Sequence, residues 1–419
     1  MSLKNLLTLV AIVVCSGLSA CATLPPPAPP PPKPLVLVSI DAFRGDYLAR
    51  GVTPNLQALA DGGAVATMRP SFPSLTFPNH YTLVTGKVPD HHGVVANFMY
   101  DPTHPADPND PKAAYFTKSK AGDGFWWQEA KPMWVSAEQA GLKVGSVYWP
   151  GSWAVIDGTK PAYALPFEQT SSEARVDQVL QWAGLSEAQR PKVYILYLNI
   201  VDETGHKKGP DSPELNAALT EVDTAISHLT QGLRDRGIDA NIVIVSDHGM
   251  ISVSPNRTTY ISNVLGKEGI APDVKTDPRY DLIYYGSVAM LNPMPGHEAE
   301  LDKLTRTHFD HMQCWHKSDI PARFKFGKNR RVPEIICLGE PGWQVGGLTS
   351  IGSDVGNHGY DPAIPEMRAI FIANGPDIKP GVHLDTFDNV DVYDVEMALL
   401  HLKPEPNDGT IAPIKPALK

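Results

Sequence analysis

Five apolar runs of strand length punctuate the chain: Leu35–Ile40, Val144–Tyr148, Val193–Val201, Ile242–Val245 and Ala369–Ala373. They are nearly continuous in hydrophobicity, which predicts strands buried on both faces. Helical signals lie between them. In "TPNLQALADGG", Thr53 sits where a cap belongs, Pro54 at the first helical position and glycines at the end. Ser212–Leu233 repeats apolar residues at helical spacing and is expected to close near Gly232. Strands alternating with helices predict an α/β fold, a mostly parallel sheet with helices on both faces. In such sheets ligands bind beyond the carboxyl ends of the strands. Three of the runs end there in a carboxylate: "LVLVSID" at Asp41, "VYILYLNIVD" at Asp202, and "NIVIVSDHGM" at Asp247, with His248 beside it. From about Ser252 to Trp343 the pattern loosens, which reads as an α+β subdomain inserted in a catalytic domain spanning 35–415.

The N-terminus follows another logic. Lys4 precedes the apolar run Leu6–Val14, too short to span a bilayer comfortably, so residues 1–20 read as a signal peptide. "LSAC", Leu18–Cys21, resembles a bacterial lipobox, with Cys21 as the acylated residue. Pro25–Pro34 is proline-dense, so residues 21–34 read as a stiff tether that holds a globular body off a membrane. With Ala22 after the cysteine, bacterial sorting implies the outer membrane, facing the periplasm. Cys314 and Cys337 are the two cysteines of the body; in an exported chain they pair as a disulfide or remain as two buried thiols. The net charge of −10 argues against a nucleic-acid-binding surface, and no obligate protein partner is inferred.

Two further histidines join the carboxylates. His206 follows Asp202 by four residues in "DETGH", close enough to approach one ion from a turn. His358 lies in the glycine-flanked "GNHGYD". Three Asp and three His without cysteine form a mixed nitrogen and oxygen donor set that suits zinc, enough for two ions. In "PSFPSLTFPNHYTLVTG", Pro78 suits the first turn of a helix that runs to Gly86 and leaves Thr76 at its mouth. Thr76 reads either as an N-cap or as a nucleophile whose ionised form the helix terminus and a cation stabilise.

"SIDAFRGDYL", "TFPNHYTLVTG", "HHGVVANFMYD", "YLNIVDETGHKKGPDSPE", "VSDHGM" and "GNHGYD" occur in the order found in the nucleotide pyrophosphatase/phosphodiesterase family of the alkaline phosphatase superfamily. The resemblance runs from Leu35 to about Thr410 and implies that family's fold and activity. It implies one Zn²⁺ on Asp202, His206 and His358, and a second on Asp41, Asp247 and His248 with Thr76 as nucleophile. It also implies Asn97 on a non-bridging phosphate oxygen and a nucleobase stacked against Phe77 and Tyr197, with Phe167 or Tyr163 as a further wall. Asn97 and the backbone N–H near Phe77 are expected to stabilise the equatorial oxygens. His80, His91 and His92 read as supporting groups. The expected reaction is hydrolysis of a nucleotide phosphodiester or phosphoanhydride through a phosphothreonyl intermediate. The Cys- or Ser-x-Pro-x-Arg segment of sulfatases is replaced here by Thr76–Phe77–Pro78–Asn79. Three alternatives stay open: a lipid-headgroup phosphodiesterase, a phosphomonoesterase or phosphonate hydrolase of the same superfamily, and a non-catalytic metal-stabilised surface protein.

Overall fold

The computed structural model of the protein describes residues 30–419 apart from 108, 111, 268–275 and 349–351. The signal peptide, Cys21 and most of the proline tether lie outside the described residues. Among those described, no helix is long and apolar enough to cross a membrane.

A nine-stranded sheet organises the body. Its order is Val382–His383, Ala64–Arg69, Ala369–Asn374, Asn241–Val245, Leu35–Ile40, Val193–Leu198, Val144–Val147 and Tyr163–Leu165, with Phe387–Asp388 also pairing to Ala64–Arg69. The parallel expectation holds from Asn241–Val245 to Tyr163–Leu165. Ala369–Asn374 runs antiparallel to both of its neighbours, so the sheet is mixed. Every side chain of Leu35–Ile40 is buried, and alternate residues serve different layers. Leu35 and Leu37 join one hydrophobic core, and Val36, Val38 and Ile40 join the other. This is why the strand reads as continuously apolar.

Several boundaries differ from the sequence reading. Thr53 makes no capping hydrogen bond. Asp223 of the long helix Pro213–Asp235 does that work instead, accepting from the backbone N–H of Leu56 at 2.7 Å and of Asn55 at 3.2 Å. A carboxylate at a helix start satisfies free N–H groups and the helix dipole together, worth about 1 kcal/mol. Gly232 does not end the long helix. A side chain there would collide with Leu180 on the neighbouring helix Ser172–Ala183, so the glycine permits close packing. The run Val193–Val201 leaves the sheet at Leu198, because Asn199 adopts a helical backbone (φ −105°, ψ −6°) and opens the helix Ile200–Lys208. Asp202 and His206 therefore share the face of a helix rather than a strand end and a turn.

The segment after Ser252 builds a four-stranded antiparallel sheet, in the order Tyr280–Tyr284, Val288–Pro293, Ile335–Gly339, Met312–His316. Val288, Met290, Ile336 and Leu338 face the main core; Ala289, Leu291, Ile335 and Cys337 face a small core of the segment's own. Cys314 and Cys337 lie opposite each other on adjacent strands and form a disulfide.

Candidate active site

Strand exits supply the inner part of the site. Asp41 follows Ile40, its N–H held by Leu198 O at 2.9 Å, and Ala42 then turns into the left-handed region (φ 59°). A non-glycine residue there carries a strain of order 1 kcal/mol, a feature that concentrates at functional sites. One strand over, Asp247 and His248 follow Val245. Ser246 Oγ ties this exit down, accepting from Phe43 N–H at 2.9 Å and donating to His248 O at 2.8 Å. Gly249 is required here because a Cβ would strike Glu366 O. Asp41, Asp247 and His248 are all fully buried.

The outer part comes from the helix Ile200–Lys208 and the loop after Gly356–Asn357. These bring Asp202, His206 and His358 to His248, whose ring stacks on that of His358 at 3.6 Å. The donor atoms of Asp202, His206 and His358 lie within 4.8 Å of one another, as do those of Asp41, Asp202 and His248. Asp202 thus stands between two clusters. Asp247 Oδ2 adjoins the second cluster, 3.0 Å from His248 Nε2.

Each imidazole is oriented alike. Nδ1 of His206, His248 and His358 faces the backbone carbonyls of Gly356, Gly249 and Ser74 at 2.9, 2.9 and 3.0 Å. Nδ1–H donation to a carbonyl leaves Nε2 as a lone pair aimed inward. Opposite those nitrogens stand Asp41 Oδ1, Asp202 Oδ1 and Asp247 Oδ2, three buried carboxylate oxygens that accept no hydrogen bond. Their distances to the Nε2 atoms run from 3.0 to 3.6 Å. With the rings neutral, lone pairs would face lone pairs at that range, and an uncompensated buried carboxylate costs several kcal/mol; positive charge, from protons or from a cation, must relieve both. A divalent cation between them removes both penalties, so the donor set fits a metal centre.

The electrostatics carry the same demand for positive charge. Burial pushes the Asp41 carboxyl well above its usual range, and Asp247 and Asp202 push it further. At Asp202 burial acts in the same sense, but the imidazoles of His206 and His358 prevail and hold it at about 2. Burial lowers His206, yet Asp202 outweighs it and raises the ring to about 9. Burial and the neighbouring His248 lower His358 to about 3.

Thr76 is the first residue of the helix Thr76–Thr85, and its Oγ1 lies 3.2 Å from His248 Nε2. His80, one turn on, fixes this helix mouth. Its Nδ1 lies 2.8 Å from Thr76 O, and its Nε2 lies 2.8 Å from Ser39 Oγ on the central strand. Asn79 anchors the preceding loop, donating to Pro73 O and Leu75 O, both at 2.9 Å. Asn97 Oδ1 accepts the Phe77 N–H at 2.9 Å. That N–H is therefore not free for an equatorial oxygen, contrary to the sequence reading. The bond also fixes the amide so that Asn97 Nδ2 is the donor left over.

A cleft of about 180 Å³ opens beside Thr76, Asp41 and Asp202. Phe77, Tyr197 and Phe167 line it, and Asn97 stands at its edge. Tyr197 also donates its hydroxyl to Asp41 Oδ2 at 2.5 Å, linking the aromatic wall to a carboxylate of the inner cluster. Tyr163 packs on Trp182 instead, with ring centroids 5.6 Å apart, so Phe167 supplies the further wall. Tyr148, Trp153 and Lys118 line the cleft as well and were not singled out from sequence. Tyr148 carried a usable signal in ending an apolar run, and in the structure it turns left-handed (φ 64°), as Ala42 does.

A buried cluster of carboxylates and imidazoles around a helix-mouth hydroxyl, on a mixed α/β sheet of alkaline-phosphatase-like architecture, is the arrangement that a metal-dependent hydrolase requires. Residues 35–361 match the model of the family described as type I phosphodiesterase / nucleotide pyrophosphatase, and the chain belongs to that family. An uncharacterized pyrophosphatase/phosphodiesterase of Schizosaccharomyces pombe is 35% identical over 393 residues, covering 90% of this chain and 78% of the relative. Human ectonucleotide pyrophosphatase/phosphodiesterase family member 1 is 35% identical over 403 residues, 92% of this chain. The chain spans only 42% of that human relative's length. The structure of murine ectonucleotide pyrophosphatase/phosphodiesterase 5 superposes with a TM-score of 0.84 at 31% identity, covering 92% of this chain and 100% of that one. An inactive threonine-to-alanine form of the murine protein, in complex with AMP, gives the same score.

Proposed function

We propose that the protein is a two-zinc phosphodiesterase that hydrolyses nucleotide phosphodiester or phosphoanhydride bonds through a covalent threonine ester. The observation that carries this reading is the facing set of inward Nε2 lone pairs and unbonded carboxylate oxygens within reach of Thr76 Oγ1. Asp202, His206 and His358 would hold one ion, and Asp41, Asp247 and His248 the other. Bound there, the ions supply positive charge that favours an ionised Thr76 hydroxyl and neutralises the phosphate.

The chain's own residues do the rest. The helix N-terminus favours negative charge on Thr76, and His80 holds that terminus against the sheet. Thr76 Oγ attacks phosphorus in line; the Oγ–P bond forms as the bond to the leaving oxygen breaks. Water then attacks the same phosphorus, breaks the Oγ–P bond and restores the threonine, its proton returning to Oγ. Asn97 Nδ2 donates to a non-bridging oxygen, which stabilises the charge that develops there. Phe77, Phe167 and Tyr197 give a flat base apolar faces to stack on. The AMP bound by the murine relative supports the nucleotide assignment. The export signal and Cys21 lead us to place the enzyme at the periplasmic face of an outer membrane.

The test compares bis(p-nitrophenyl) phosphate with p-nitrophenyl phosphate on zinc-loaded protein. The expected result is a strong diester preference, lost with EDTA and in Thr76→Ala. A monoester preference overturns the diesterase assignment.

A further inference from the structure

Large exposed hydrophobic side chains are few among the described residues, and one of them, Phe98, is 48% exposed. Phe98 directly follows Asn97 and lines the cleft. Its ring faces that of Tyr284, with centroids 6.3 Å apart and planes inclined by 34°. Tyr284 belongs to the inserted sheet, and the residues after it pack on the outer cluster. Ser287 Oγ donates to His358 O, and a Cβ on Gly286 would sit 3.3 Å from Asn357 Nδ2.

The aromatic residues of the cleft therefore make two separate sets of contacts. Tyr197 and Phe167 adjoin each other at 6.2 Å and reach the inner cluster through Asp41. Phe98 lines the cleft together with Asp202, and Tyr284 leads, three residues on, to Ser287 and its bond to the His358 carbonyl. Attack by Thr76, which touches His248 of the inner cluster, sends an in-line leaving group toward the outer one. Charge narrows the class of that group. Among the described residues lining the cleft Lys118 is the one cation, and its Nζ is taken up 3.8 Å over the ring of Phe167. Among the described residues of the lining, no cation is paired with Phe98 as Lys118 is with Phe167.

We infer that Phe98, backed by Tyr284, is a leaving-group subsite that selects substrates whose departing half is a planar aromatic group over those that release pyrophosphate. An exposed ring held at the rim of a catalytic cleft is suited to stacking. The inference rests on the phosphodiesterase reading and adds the substrate's second half to it.

The experiment uses two substrates with the same thymidylyl half: p-nitrophenyl thymidine 5′-monophosphate and thymidine 5′-triphosphate. Zinc-loaded wild type, Phe98→Ala, Phe98→Trp and Phe98→Lys are compared. In Phe98→Ala, kcat/KM for the aryl ester should fall roughly 5- to 10-fold, chiefly through KM, the loss expected for one stacking contact. The triphosphate should change less than about twofold, Phe98→Trp should restore the aryl ester, and Phe98→Lys should shift preference toward the triphosphate. Equal losses for both substrates, or no loss for either, overturn the subsite while leaving the phosphodiesterase reading intact. Failure of the wild type to turn over either substrate brings down both.

Discussion

The two halves of the proposed metal site are built to different standards. Asp41, Asp247 and His248 have side chains 1% exposed or less and extend from the exits of two adjacent central strands. The outer residues are Asp202, His206 and His358, with side chains 16%, 23% and 5% exposed, carried by a short helix and a loop. Residues fixed by the sheet cannot move without moving the core; residues on a helix end and a loop can. The inner set therefore couples ligation to folding, whereas the outer set couples it to solvent and substrate.

The largest effect tests what the two halves share. Thr76→Ala should lower diester turnover by at least about 10³-fold while metal content, read by mass spectrometry, stays at the wild-type value. Loss of metal with the hydroxyl would make Thr76 a structural ligand instead. Next comes a direct contrast between the halves. Asp247→Ala strands His248 and His80 without their buried carboxylate and should cost about 3–5 kcal/mol in a thermal melt. His206→Ala should cost about 1 kcal/mol or less but should remove one metal equivalent. Similar melts for the two variants would erase the distinction.

Acidity sharpens the comparison further. Without metal, His206 is raised from 6.5 to about 9 by Asp202. Its pairing thus stabilises the metal-free protein fully below pH 6.5, and this contribution is lost as pH rises through 9. EDTA-treated protein should therefore melt lower as pH climbs across that window. Metal affinity should move the opposite way, because protons compete for the same nitrogen. Titrations at several pH values read both trends. The smallest effect on turnover belongs to Cys314→Ser with Cys337→Ser. The disulfide lies in the inserted sheet's own core, so the variant should lose roughly 2–4 kcal/mol of stability there and change kcat/KM less than about twofold.

What sequence could and could not disclose follows from range. Thr76 at a helix mouth and Asp41 and Asp247 at strand exits are local patterns of hydrophobicity, proline and glycine, and these are legible. The placement of Asp202 on a helix is not: an apolar run does not say where pairing stops, and Asn199 ends the strand by a backbone turn that composition does not encode. The strand Ala64–Arg69, half-buried at Val65 and Thr67, has no continuous apolar run to mark it. Thr53 misled because its helix is capped from a distance by Asp223. The cysteine alternatives were decided by strand register, and the Phe77 N–H by its contact with Asn97, both outcomes of tertiary assembly.

The reversed strand Ala369–Asn374 carries a consequence for the order of assembly. It inserts between Ala64–Arg69 and Asn241–Val245, so the sheet that bears Asp247 stays incomplete until nearly nine-tenths of the chain has been made. Until then Asn241–Val245, apolar on both faces, offers an open hydrogen-bonding edge to any passing strand. A nascent or truncated chain stopping short of Ala369 is thus exposed to aggregation at the strand leading into the candidate site, and safe passage through synthesis depends on keeping that edge covered.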